Sequence, residues 1–223
     1  MGSKLRNRRR RHDAFYRRAK DERYPARSVY KLKELDERFK LFRSGQRVLD
    51  LGCRPGSWLL YAAERVGPKG TVVGIDRQPL EIALPSHVRE VVGDVREVSR
   101  RELLGDTDGF HTVLSDMAPD TSGVAFTDHV RCLELFGTAL DISIELGHPG
   151  GAFVGKLFMG EGFDEMVRRV KAAYRRSKTV KPEATRKESK ELYVVALDRK
   201  PRAEQPEDEP PRDDPGASAP PQG

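Results

Sequence analysis

Four polar residues, Asp76, Asp94, Asp116 and Lys156, each follow or close a short apolar run of the kind that forms a buried strand. In open α/β sheets ligands bind beyond the carboxyl ends of the strands, so residues there are the ones that meet substrate. Between the first apolar run and the next helix lies Asp50-Leu51-Gly52-Cys53-Arg54-Pro55-Gly56-Ser57-Trp58. The loop is glycine-rich but matches neither GxGxxG nor the Walker loop GxxxxGK. Phosphate groups need several free backbone amides. A nucleoside ligand without phosphate, such as S-adenosylmethionine, needs only close approach of the backbone, which Gly52 and Gly56 permit. Asp76 stands 24 residues after Gly52, where a carboxylate binds ribose hydroxyls. Asp94, after the next strand, is placed for an adenine amino group or a bridging water. Singly, each glycine could be a turn former and each aspartate a helix cap. Together, in this order on successive strands, they favour a nucleoside cofactor, and a nicotinamide dehydrogenase stays open only without its third glycine.

The elements that must hold these residues alternate. Val29, Leu32, Leu35 and Phe39 recur at helical steps, with Ser28 as the expected cap. Short strands are expected at Arg47 to Leu51, Thr71 to Ile75, Val88 to Val92 and His111 to Leu114. A helix bearing Trp58 to Val66 follows the first, and a long one runs from about Asp128 to Leu146, stopped by Gly147 and Pro149. Ala152 to Val154 opens a fifth strand that runs into Lys156. A helix through Phe163, Met166 and Val170 and a last strand from Leu192 to Leu197 complete the series. Such alternation predicts an α/β fold with a mostly parallel central sheet and helices on both faces.

Charge is segregated along the 223 residues. Residues 1–40 carry 15 Lys/Arg against 6 Asp/Glu and residues 164–200 carry 12 against 6, around a mildly acidic middle. Basic flanks suit a polyanion such as RNA, while the middle holds a small ligand. Residues 1–19, with Arg8 to Arg11 in a row, are expected to be a basic mobile arm. The catalytic domain is expected over 20–200. The segment 201–223 holds 7 of the 15 prolines and no large apolar residue, so disorder is expected there. Cys53 and Cys132 have no repeated spacing, and no metal site is read. No apolar run has membrane-spanning length and no secretory signal is present, so a cytoplasmic protein, off the membrane and monomeric, is expected.

The run Gly150 to Glu165, which reads GGAFVGKLFMGEGFDE, closely resembles the FtsJ/RrmJ family of RNA ribose 2′-O-methyltransferases. So do Ser115-Asp116-Met117-Ala118-Pro119 with Ser122-Gly123, Ser28 through Leu32, and Lys181-Pro182 followed by Ser189 through Ala196. The likeness covers roughly residues 20–200 in unbroken order. It implies a Rossmann-like methyltransferase fold, S-adenosylmethionine as cofactor, and a Lys-Asp-Lys-Glu tetrad on Lys31, Asp116, Lys156 and Glu191. The family's cofactor contacts fall on Gly56, Trp58, Asp76, Asp94 and Asp116, beside Gly52 read from the loop itself. Lys156 would be the proton acceptor. The chemistry fits: the methyl sulfonium is already activated, and the ribose hydroxyl needs alignment plus a base or strong hydrogen bond. A lysine serves as base only where its pKa falls from about 10.4 toward neutrality, which a second lysine favours.

Two departures from the family pattern touch the loops. Cys53-Arg54 stands where small residues are usual, with Ser57 in place of a second glycine, and Asp120 stands where asparagine is common. The resemblance to the bacterial branch implies the A-loop uridine of large-subunit ribosomal RNA, free or in a ribosomal particle, as substrate. A transfer-RNA or cap 2′-O-methyltransferase, and a non-catalytic RNA-binding protein of the same fold, remain open at this point.

Overall fold

The computed structural model describes residues 14–120, 123–186 and 189–201. The expected arm up to residue 13, and the tail from 202, lie outside them. The first helix, α1, spans Ala14–Asp21, and Ala19 is buried, so the packed domain begins before residue 20. Next come α2 (Val29–Phe39), β1 (Arg47–Leu51), α3 (Ser57–Val66), β2 (Thr71–Asp76), β3 (Val88–Val92), α4 (Arg100–Leu104) and β4 (Phe110–Ser115). The rest is α5 (Ala125–Leu146), β5 (Gly147–Phe158), α6 (Phe163–Ala173), β6 (Tyr174–Val180) and β7 (Glu191–Arg199).

The seven strands form one sheet in the order β3-β2-β1-β4-β5-β7-β6. Pairings from β3 through to β5 are parallel, whereas β7 runs antiparallel to both β5 and β6. Chain order turns back between β1 and β4, so the crevice at their carboxyl ends is the switch point where such sheets bind ligands. The antiparallel β7 brings its first residue, Glu191, opposite Phe158 at that same end of the sheet.

Alternation along the strands divides the core. Val48, Leu114, Val154, Tyr193 and Val195 join α2 and α3 on one face. Leu49, Leu51, Val113, Phe153 and Val194 join α5 and α6 on the other. Among the described residues no helix is long and apolar enough to cross a membrane.

Several boundaries differ from expectation. Ser28 is not a side-chain cap: its backbone is already helical, and its hydroxyl makes no cap bond. Its carbonyl instead accepts from Lys31 N–H and from the Trp58 indole. β5 starts at Gly147 rather than Ala152 because Gly147 pairs Phe110 before a register shift admits His148-Pro149-Gly150. β6 was hidden because only Tyr174 and Val180, its two ends, are buried. The helix α4 is short but capped by Ser99 Oγ, which accepts from Glu102 N–H.

Candidate active site

Asp116 stands just past β4, and Lys156 lies in the neighbouring β5, opposite Tyr193 of β7. The Lys156 ammonium is 3.1 Å from Asp116 Oδ1 and donates to the Asp116 carbonyl at 2.7 Å. It therefore commits two of its three N–H groups to one residue. Its side chain is only 8 % exposed, so both its position and its direction are fixed. A second ion pair joins Lys31, in the first turn of α2, to Glu191 Oε1 at 2.5 Å.

The two pairs are not separate. Tyr193 donates its hydroxyl to Asp116 Oδ1 at 2.6 Å and accepts from Lys31 at 3.3 Å. The five groups form one chain: Glu191, Lys31, Tyr193, Asp116, Lys156. Sequence brings these residues from four distant segments, and the sheet end and α2 place them together. Tyr193 was not anticipated, since an apolar-patterned strand gives no sign that one of its aromatics carries a working hydroxyl.

Charge follows from this arrangement. Burial pushes the Asp116 carboxyl up, but Lys156, Lys31 and the Tyr193 hydroxyl outweigh it and hold the carboxyl below its ordinary range. Burial, together with Asp116 and Glu191, raises the Tyr193 phenol well above its usual value, so it remains a hydrogen-bond donor. Trp58 packs its ring 5.7 Å from that of Tyr193 and is buried. Its N–H to the Ser28 carbonyl ties α3 to the start of α2, beside Lys31.

A cavity of about 580 Å³ opens at the switch point, reaching from Asp94 past Asp76 to Gly52 and Asp116. Gly52 has φ +74°, and a Cβ there would come within 2.5 Å of Met117 Cγ, so this position demands glycine. Gly56, with φ +104°, is pressed against Ile82 and does not line the cavity, and neither does the Trp58 side chain. Asp76 is oriented by the backbone N–H groups of Arg54 and Gln78, at 3.1 and 3.2 Å. Asp94 is gripped by Arg96, whose side chain and backbone bring the carboxyl down to about 2.

The departures noted in the sequence find places. The Arg54 guanidinium points to Gln78 and to Glu81, at 2.8 Å from the latter. Ser57 is buried, and its hydroxyl accepts from Ala26 N–H at 2.7 Å. Asp120 pairs with Arg77 at 3.0 Å, both residues lining the cavity.

Asp50, unremarked in the sequence beyond its place in the loop, is 1 % exposed, and neither carboxyl oxygen has a hydrogen-bond partner among the described residues. Burial, then Asp116 and Asp76, push its carboxyl well above the ordinary range. Three acidic groups thus sit close together at the crevice.

The model of the FtsJ-like methyltransferase family matches residues 24–199. The chain belongs to the FtsJ-like methyltransferases. A relative from Desulfosudis oleivorans, named ribosomal RNA large subunit methyltransferase E, is 47 % identical over 188 residues, 84 % of this chain and 91 % of its own. A protein of the same name from Sorangium cellulosum is 43 % identical over 200 residues, 90 % and 94 % of the two chains. Among solved structures, a protein described as a ribosomal RNA methyltransferase from Plasmodium falciparum superposes with a TM-score of 0.69 at 25 % identity, over 79 % of this chain and 98 % of that one. Fibrillarin of Aeropyrum pernix, solved with natively bound S-adenosyl-L-methionine, shares the fold alone: TM-score 0.55, 14 % identity, 76 % of each chain. The expected Rossmann-like methyltransferase architecture is therefore the one this FtsJ-like enzyme has.

Proposed function

We propose that this FtsJ-like methyltransferase moves the methyl group of S-adenosylmethionine to a ribose 2′-hydroxyl of large-subunit ribosomal RNA, at the A-loop uridine. It would do so as a cytoplasmic monomer. The observation that carries the reading is the chain Glu191, Lys31, Tyr193, Asp116, Lys156, which ends on a lysine held by Asp116, a residue of the cavity wall. The names of the relatives support the RNA class.

The residues present fit the cofactor. Its sulfonium is a cation, and the cavity wall carries the carboxylates Asp76 and Asp116, with the buried Asp50 close to both. Asp76 would hold the ribose hydroxyls, and Asp94 the adenine side. Gly52 lets the backbone approach, with Gly56 and Trp58 shaping the start of α3 behind it. When bound, the cofactor supplies an electrophilic methyl group.

This chain's own residues do the rest. Asp116 holds Lys156 by side chain and carbonyl, Tyr193 donates to the same Oδ1 of Asp116, and Lys31, paired with Glu191, donates to Tyr193. As the neutral amine, with its N–H groups held by Asp116 and its lone pair free, Lys156 would meet the 2′-hydroxyl, align it with the methyl group and take its proton to become the ammonium. Removing such a base commonly costs about 10²–10⁴ in rate.

The test is methyl transfer from labelled S-adenosylmethionine to large-subunit RNA and to ribosomal particles lacking the modification, followed by mapping. Label on the ribose of the A-loop uridine is expected. Label on a base, or on a transfer RNA alone, would refute the assignment.

A further inference from the structure

Large apolar side chains exposed among the described residues are Tyr16, Val92, Val124, Phe126 and Met159. Two of the five, Phe126 and Met159, stand on elements that touch each other beside the site, the first turn of α5 and the loop after β5. Phe126, 67 % exposed, and Val124, 57 %, open α5, the helix whose later residues Arg131 and Leu135 line the cavity. Met159, 52 % exposed, follows β5 three residues after Lys156.

The corner is built. A Cβ at Gly160 would lie 2.6 Å from His129, and His129 meets the Glu161 carbonyl at 2.6 Å, so the loop after Met159 presses on the first turn of α5. His129 stands three residues after Phe126 and so shares its side of the helix. Met159 N–H donates to the Lys190 carbonyl at 3.1 Å, which fixes it next to Glu191 of the relay.

We propose that Phe126 and Met159 form the platform on which the unpaired base of the target nucleotide stacks while its ribose reaches Lys156. The inference rests on the proposed RNA reading and adds the part of the nucleotide that this corner grips. An aromatic ring with a thioether beside it offers a flat, polarisable face that suits any nucleobase. Exposed Glu161, whose carbonyl meets His129, disfavours a phosphate at this corner, whereas exposed Lys190, whose carbonyl accepts from Met159 N–H, and Arg131, which lines the cavity, lie toward the site. A base in the middle and its backbone toward the cations is the arrangement that satisfies all of these groups. Recognition by stacking rather than by hydrogen bonds would also leave the identity of the base weakly read at this point.

The experiment compares wild type, Phe126→Ala and Phe126→Trp as full chains. The probes are a short single-stranded oligouridylate and an abasic oligoribophosphate of equal length. Phe126→Ala should weaken oligouridylate binding by roughly five- to 150-fold and leave abasic binding unchanged. Phe126→Trp should keep affinity, and its fluorescence should be quenched by the oligouridylate only; Trp58, the one native tryptophan, is buried. Calorimetry should give all three proteins the same S-adenosylmethionine affinity. Equal oligouridylate binding by Phe126→Ala and wild type would overturn the platform. So would a Phe126→Ala protein that methylates free RNA normally and fails only on particles, since the corner would then dock a ribosomal protein. Wild type that transfers no methyl group to RNA sinks the parent reading; normal transfer by Phe126→Ala sinks this one alone.

Discussion

Replacing Tyr193 by phenylalanine removes one oxygen and tests whether the two ion pairs work as one unit. The ring stays, so its packing on Trp58 is kept. Lost are the 2.6 Å bond to Asp116 and the 3.3 Å contact from Lys31. A hydrogen bond to a charged group contributes about 1.5–3 kcal/mol, and here the acceptor is partly buried. For a domain of this size that corresponds to a fall of roughly 3–12 °C in Tm. The pH dependence gives a second signature. Asp116 has a folded pKa below its unfolded value, so its contribution is present above the unfolded pKa and is lost as pH falls through the folded one. Tyr193→Phe raises the folded pKa toward the unfolded one. The stability gap between the proteins should therefore be widest near neutrality and should close as pH drops below about 4. Urea unfolding across that range measures it, and single-turnover transfer should fall by about tenfold as Asp116 and Lys156 loosen. Equal stability at neutral pH, or a gap that persists at low pH, would refute the coupling.

Other perturbations address separate parts. Asp76→Ala removes the carboxylate expected on the ribose and should weaken S-adenosylmethionine roughly tenfold or more without unfolding, as read by calorimetric titration. Gly52→Ala adds a Cβ that meets Met117 at a positive φ; a cost of about 1–2 kcal/mol is expected from the backbone alone, seen as a lower Tm together with weaker cofactor binding. RNA affinity should fall steeply with salt through counterion release, and removing the residues before Asp13 should lower both affinity and salt slope while sparing the cofactor; removing the residues after Pro201 should change little.

Much of the fold was legible because burial writes itself into the sequence. β1, β2, β3 and β4 are apolar runs ended by Gly or Asp, and the long helix α5 carries a full periodic face. What stayed hidden obeys other physics. β6 pairs through its backbone and leaves Arg175, Arg176 and Lys178 out, so no apolar pattern marks it. α1 carries three basic residues among eight and docks through Phe15, whose ring meets Tyr30, and the small Ala19, too few apolar positions to give a periodic signal. In the site, Asp116 and Lys156 were legible as strand-end polar residues, whereas Lys31 and Glu191 emerged only through the family resemblance. Tyr193 and Asp50 were hidden because each sits inside a strand that reads as core. Only the three-dimensional partners, or in the case of Asp50 their absence, give them a role.

Lys156→Arg tests most directly whether Lys156 accepts the hydroxyl proton. Arginine retains the charge and can keep the ion pair with Asp116, but its side chain is not deprotonated in proteins. Cofactor and RNA binding should be almost unchanged, while the single-turnover rate of methyl transfer should fall by about 10²–10⁴. A Lys156→Arg enzyme within severalfold of wild type would contradict proton transfer and leave Lys156 only the alignment of the hydroxyl.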